Sequence, residues 1–284
     1  MRWHVVCQHP QSMKETTLEE IILARRRRLE EARAQTPLSD LMRQACSRRG
    51  LRSFSSALTK PGVRLIAEMK KASPSAGLLR EDYRCGEIAQ AYQQCGAVAL
   101  SVLTEEDYFQ GSLSHVTEAR SASSLPVLRK DFVLDEYQVY ETAAAGADGV
   151  LLIVAALPQK TLRELIELSA QLQIATLVEV HTEGELEQAL AAGACNIGVN
   201  NRNLKTMEVD LQTSLRLREK IPACCRAVSE SGIKSDAHVR MLMDAGFDAM
   251  LVGEWFMRAS HPGEALRALV DGATKLLKPQ VSSL

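Results

Sequence analysis

The chain has 284 residues, 46% of them hydrophobic and 24% charged, with a formal net charge of −1. That length suits one large domain or two small ones, and the near-zero charge argues against nucleic acid or an anionic membrane as partner. Seven cysteines without a C-x-x-C pair argue against a zinc site or a disulfide framework and for a reducing cytoplasm.

The cysteines read as small buried hydrophobes. No window approaches about 18 uninterrupted apolar residues, so no membrane span is expected. Met1 to Met13 lacks the apolar core of a signal peptide. Residues 1–15 read as a disordered tail, or as sequence ahead of a start at Met13.

Residues 16–47 read as helical, broken at Thr36-Pro37-Leu38-Ser39-Asp40. Thr16-Thr17 ahead of Leu18-Glu19-Glu20 resembles an N-cap with first-turn acids. Ile21, Ile22 and Leu29 supply an apolar side. The run Arg25 to Arg28, flanked by acids, reads as a solvated helix face. This extension covers 16–60 and ends at the turn Lys60-Pro61-Gly62. It precedes a larger repeating unit and should either close one end of that unit or fold over its mouth.

The repeat begins after this turn. Glycines at 96, 146, 193 and 246 each close a helical stretch and precede a strand. The period, roughly 50 residues, holds two strand–helix units. The strands expected are Leu65–Lys70, Val98–Leu103, Pro126–Phe132, Gly149–Val154, Ala175–Val180, Asn196–Asn200, Arg226–Ser231 and Ala249–Gly253. Helical patterns come after them. Eight near-continuous apolar strands alternating with helices predict a (β/α)8 barrel over 61–278, forming one domain with the extension. An open doubly wound sheet normally carries G-x-G-x-x-G after its first strand, and that motif is absent.

Active sites of such barrels lie at the C-terminal ends of the strands. Strand 1 ends in Glu68 and Lys70, strand 3 in Lys130, strand 5 in Glu179 and strand 7 in Glu230. Every odd strand delivers an ionisable group to one rim, a setting for paired acid–base chemistry. Strand 6 adds Asn200 and Arg202. Glu68 and Lys70 are two apart and share the inner side of the pleat, so Lys71 should face away. Ser231-Gly232 after strand 7 and Gly253-Glu254 after strand 8 suggest a phosphate cradle of backbone N–H groups. An ion-pair ring closing the barrel top, and glycines serving only tight turns, are the plain structural alternatives.

Taken together, the segments Ala67 to Ser75, Ser101 to Thr104, Phe109-Gln110-Gly111, Leu128 to Phe132, Leu177 to His181, Gly198 to Leu204, Val228 to Ile233 and Leu251 to Glu254 resemble indole-3-glycerol phosphate synthase of tryptophan biosynthesis. The match runs in order from about residue 16 to 270. It implies a cofactor-free, metal-free lyase that closes the ring of 1-(o-carboxyphenylamino)-1-deoxyribulose 5-phosphate. On this resemblance Lys130 is the general acid and Glu179 the base. Lys70 contacts the substrate carboxylate or assists dehydration. Glu68 and Glu230 orient lysines and hydroxyls, and Asn200 makes a polar contact. Ser73 and Arg202 bind anion at the rim, with the phosphate on Ser231, Gly232, Gly253 and the backbone of Glu254. The Glu254 carboxylate is expected to point away. Phe109, Phe132, Leu151 and Leu204 form the apolar wall.

Another phosphosugar barrel, such as phosphoribosylanthranilate isomerase, or a non-catalytic barrel, is the competing reading. The partner expected is a small phosphosugar, and the state a monomer or weak homo-oligomer in the cytoplasm.

Overall fold

A computed structural model describes residues 17–277 except Lys205. The tail expected over 1–15, Thr16 of the expected cap, and residue 278 of the expected barrel lie outside the described residues. Among the described residues the strands of the barrel are β1 (Leu65–Met69), β2 (Ala99–Leu103), β3 (Val127–Lys130), β4 (Gly149–Ile153), β5 (Ala175–Val180), β6 (Asn196–Asn200), β7 (Arg226–Glu230) and β8 (Ala249–Val252). Each pairs in parallel with its sequence neighbours, and β1 pairs with both β2 and β8, closing a barrel. The expected fold class is the observed one.

Among the described residues three helices precede the barrel: α1 (Leu18–Gln35), α2 (Leu38–Cys46) and α3 (Phe54–Ala57). Around it lie α4 (Cys85–Gln94), α5 (Leu113–Ala122), α6 (Glu136–Ala144), α7 (Gln159–Gln171), α8 (Glu183–Ala191), α9 (Gln212–Arg218), α10 (Asp236–Asp244), α11 (Glu254–Arg258) and α12 (Pro262–Leu277).

The repeated glycine has a local cause. Gly96, Gly146, Gly193 and Gly246 all take φ between 88° and 100°, a region costly for residues with a Cβ. At each, the following N–H reaches back to the helix carbonyl five residues earlier, as in Ala97 to Tyr92 at 3.0 Å and Phe247 to Leu242 at 3.0 Å. The glycine's own N–H closes a second, shorter loop. This double closure terminates the helix and aims the chain into the next strand.

Alternation along the strands separates two apolar layers. Leu65, Ala67 and Met69 of β1 face the helices, as do Val178 and Val180 of β5. Ile66, Leu128, Leu177 and Val228, one from each odd strand, fill the barrel interior together. Two residues farther along, the same four strands must present Glu68, Lys130, Glu179 and Glu230 inward. The same parity turns Arg129 outward, where it is fully buried between Thr104, Gln138, Thr142, Asp131 and Glu141.

The extension serves both ends of the barrel. Leu18 and Ile21 of α1 line the cavity at the mouth. Phe54 of α3 belongs to the interior cluster and closes on Gly149 at the start of β4. Between them α2 packs on α6, and the Tyr137 hydroxyl donates to Ala32 and Thr36 carbonyls at 2.9 and 3.0 Å.

Two expectations need correction. The arginine run is not uniformly solvated: Arg26, Arg27 and Arg28 are exposed, but Arg25 is buried. It falls on the inward side of α1 beside Ile21 and Ala24 and pairs with Glu106 at 2.5 Å and Asp131 at 3.1 Å. Nor are the cysteines uniformly buried: Cys85 and Cys225 are, whereas Cys46, Cys195 and Cys224 are exposed because they sit at helix ends and loops at the surface.

Arg25→Ala strips one cation from a buried cluster and is expected to cost about 3 kcal/mol in urea denaturation. Arg26→Ala, on the exposed face, is expected to stay within about 0.5 kcal/mol. Equal values for the two would remove Arg25 from its assigned role in docking α1.

Candidate active site

All sixteen residues singled out from the sequence line one cavity of about 550 Å³ at the C-terminal end of the strands. Its floor is the inward layer stacked directly on the apolar one. Lys130 Nζ lies 3.2 Å from Glu179 Oε2 and 3.3 Å from Glu230 Oε2. Lys70 Nζ lies 2.6 Å from Glu68 Oε1. Asn200 Nδ2 donates to Glu179 Oε1 at 3.1 Å. Strand register explains the meetings, since Glu179 stands beside Gly198, and Asn200 beside Glu230.

Two glycines make room for this layer. A Cβ at Gly198 would run into the Glu230 carboxylate, and one at Gly253 into Glu68. Gly253 therefore has a steric duty besides any contact with a ligand.

The charges do not share their environment equally. Burial works against the Lys130 ammonium, but Glu230, Glu179 and Glu68 outweigh it and hold the lysine well above its usual range. Burial also works against the Glu68 carboxylate, yet Lys70 and Lys130 keep it below normal. Glu179 is also driven down: burial is overcome by Lys130, His181 and Asn200. Glu230 goes the other way, pushed up to about 7 by burial, with Lys130 opposing and Glu179 adding to the rise. Neither of its oxygens has a hydrogen-bond partner among the described residues. The layer thus offers a protonated lysine, an ionised carboxylate and a carboxyl that changes state near neutrality.

One side of the cavity is apolar. Phe109 and Phe132 meet with ring centroids 6.2 Å apart, Leu151 belongs to the same apolar cluster, and Leu204 also lines the cavity. Phe109 is held by Glu105, which no sequence pattern singled out. The Glu105 carboxylate is buried and accepts the N–H groups of Asp107, Tyr108 and Phe109 at 3.1, 2.8 and 3.1 Å.

The opposite side carries Ser73, Arg202, Ser231, Gly232, Gly253 and Glu254. Ser231 and Gly232 take positive φ of 67° and 80°, which turns the chain sharply after β7. Ser73 Oγ accepts the Ala76 N–H at 3.2 Å and so helps fold the first rim loop. Glu254 is among the residues that line the cavity, and its carboxylate is taken up by arginines, with Oε1 3.1 Å from Arg258 and Oε2 3.7 Å from Arg202. Two guanidinium groups balance its charge, one of them a helical turn along α11. Lys234, Trp255 and Arg258 also line this side. Only their position after strands 7 and 8 could have signalled them. Among the described residues no group of three or more His, Cys, Asp or Glu is arranged to hold a metal ion.

A family model described as indole-3-glycerol phosphate synthase matches residues 18–269. The chain belongs to the indole-3-glycerol phosphate synthase family. A relative of that name from Polaromonas naphthalenivorans (strain CJ2) is 48% identical over 258 residues, spanning 89% of this chain and 97% of the relative. One from Endomicrobium trichonymphae is 45% identical over 256 residues, spanning 89% and 99%. Among solved structures, thiamine phosphate pyrophosphorylase from Pyrococcus furiosus superposes with a TM-score of 0.57 at 18% identity, covering 78% of this chain and 99% of that one. KGPDC from Streptococcus mutans gives 0.59 at 15% identity, covering 77% and 100%. These two share the fold. No described helix of this family member is long and apolar enough to cross a membrane.

The unequal carboxylates give a direct test. A carboxyl resonance lost in Glu230→Gln should titrate near pH 7 by carbon NMR. In Lys130→Met it should move higher, because the cation that favours ionisation is gone. A resonance titrating at the ordinary value of about 4.3 would contradict the described environment.

Proposed function

We propose that this chain is an indole-3-glycerol phosphate synthase, closing the ring of 1-(o-carboxyphenylamino)-1-deoxyribulose 5-phosphate with loss of CO2 and water. The observation that carries this reading is the inward layer itself. Glu68, Lys130, Glu179 and Glu230 lie between an apolar wall and an arginine-bearing rim. That arrangement suits a substrate with an aromatic ring at one end and a phosphate at the other.

The chemistry accounts for each residue type. The anthranilate carbon bearing the carboxylate attacks the ribulose C2 carbonyl, assisted by the nitrogen electrons. Lys130 gives its proton to the carbonyl oxygen as that bond forms. The carbon–carboxylate bond then breaks, CO2 leaves, and its electron pair restores the aromatic ring. Dehydration comes next: the new hydroxyl leaves with a proton, and a base removes the proton from the neighbouring former ribulose C1. Glu179 is the base and Lys70 assists departure of the hydroxyl. Glu68 holds Lys70, and Asn200 steadies Glu179. Glu230, poised near neutrality, accepts or returns protons to Lys130.

Loss of the Lys130 proton also strengthens the base. The ammonium is the chief charge holding Glu179 down. Once it is neutral, the carboxylate binds a proton more tightly. Phe109, Phe132, Leu151 and Leu204 receive the anthranilate ring. Ser73, Arg202 and the backbone around Ser231, Gly232, Gly253 and Glu254 receive the phosphate. The cover by Leu18 and Ile21 excludes water from the reacting centre. All these groups come from one chain, so the monomer is the working unit in this reading, in the cytoplasm.

Purified protein given this substrate should produce indole-glycerol fluorescence. Absence of product would sink the enzymatic reading. Lys130→Met is expected to lower kcat at least about a hundredfold, the scale of a general acid. Unchanged turnover in that variant would remove Lys130 as the acid even with product formed.

A further inference from the structure

Two Glu179 oxygens face different neighbours. One meets Lys130, while the other meets Asn200 and, on β5's own continuation, His181. His181 is the first residue after β5 and does not line the cavity.

Its ring is fixed from behind. The His181 N–H donates to Glu185 Oε2 at 2.7 Å, and Nδ1 lies 3.1 Å from that same oxygen. Glu185 is in turn placed by the start of α8. Thr182 is the N-cap, and its hydroxyl accepts the Glu185 N–H at 3.2 Å. The usual capping box returns such a glutamate to the N-cap N–H. Here the carboxylate passes one residue further and takes the histidine.

The other ring nitrogen, Nε2, stands 3.4 Å from Glu179 Oε1, buried and outside hydrogen-bond geometry. With Nδ1–H given to Glu185, Nε2 presents either a lone pair or an N–H. A lone pair held against a buried carboxylate repels it, so the doubly protonated ring fits. Three charged groups bear on that ring: Glu179 from β5, Glu185 from α8, and Lys130 from β3 beyond the far oxygen of Glu179. Burial disfavours the imidazolium, but the two carboxylates prevail and raise His181 to about 10. The sign is clear: the cation is present at neutral pH and is lost only as pH climbs through that value.

We propose that His181 is a positioning residue: an imidazolium locked by Glu185 that holds the Glu179 carboxylate against Lys130 and Asn200. Its value lies in timing. When Lys130 gives up its proton, His181 remains as a cation beside Glu179 and keeps the carboxylate from swinging away. The inference rests on Glu179 acting as the base.

Two kinds of measurement test it. The histidine side-chain nitrogen NMR signal lost in His181→Gln should be that of an imidazolium at pH 8. In Glu179→Gln that signal should titrate closer to the ordinary value of about 6.5. In turnover, His181→Leu should lower kcat about tenfold, with KM within about twofold, as expected for a lost positioning contact. That deficit should widen toward low pH, because Glu179 without its cation takes up protons sooner. His181→Gln, which keeps an N–H toward Glu179, should recover part of kcat. Glu185→Gln should act in the direction of His181→Leu, more weakly.

A neutral ring at pH 8, or one unmoved by Glu179→Gln, overturns the proposal. So does a kcat deficit that is the same at every pH, which is how a purely structural loss behaves. If His181→Leu fails to fold, the NMR of the wild type and Glu179→Gln still decides. If the ring is cationic but the wild type makes no product, the enzymatic reading fails while the His181–Glu179 pairing stands.

Discussion

A lysine ammonium inside a barrel is tolerable only if carboxylates come with it, and Lys130 sets that requirement here. Left unpaired, such a charge costs on the order of several kcal/mol. Glu179 and Glu230 sit within 3.3 Å of Nζ, and the field of Glu68 reaches it as well. Meeting this requirement constrains strands far apart in sequence. Each odd strand must place its inward residue at the same height, two positions beyond Ile66, Leu128, Leu177 and Val228. Even strands then yield space, with glycine at 198 and 253 where a Cβ would displace a carboxylate.

Chemically identical groups end in different states because their neighbours differ. Glu179 has a lysine, an amide and a histidine and is held ionised. Glu230 has the lysine but no hydrogen-bond donor in geometry among the described residues, and it stands close to another carboxylate. One is therefore fixed and the other responsive near neutral pH. A proton leaving Lys130 lowers the local positive charge, and both carboxylates then become better proton acceptors.

The range of each interaction decides whether the sequence revealed or concealed it. The barrel was legible because each strand obeys a period of two and each repeated glycine closes a helix within six residues. The ionic layer was legible for the same reason: parity alone puts Glu68 with Lys70 and separates Lys130 from Arg129. Arg25 was misread because nothing within its own helix says that Asp131 and Glu106 lie opposite. His181 stood in a quoted motif but acquired meaning only when Glu185, a turn into α8, and Glu179 were seen on its two sides. Glu105 was missed because a carboxylate serving three backbone N–H groups has no side-chain partner to spell out. Exposure of Cys195 and Cys224 likewise depends on how loops meet at the surface.

The N-terminal extension shows how the same buried charges reach beyond the cavity. Asp131 directly succeeds Lys130 and accepts from Arg129, Thr104 and the Phe132 N–H while pairing with Arg25 of α1. A single carboxylate thus ties the strand that carries Lys130 to the helix that carries Ile21 over the mouth. Phe132, on the apolar wall, is fixed by that same carboxylate. The opposite end of the extension is anchored separately by Phe54 in the barrel interior. The far end of α1 is itself held by the Tyr137 hydroxyl on the Ala32 and Thr36 carbonyls. Loss of its contacts at the mouth would free Leu18 and Ile21 and also remove one of the two cations that keep Asp131 ionised. The cover, the wall and the strand that carries Lys130 are therefore stabilised by shared contacts, so weakening any one of them should weaken the others.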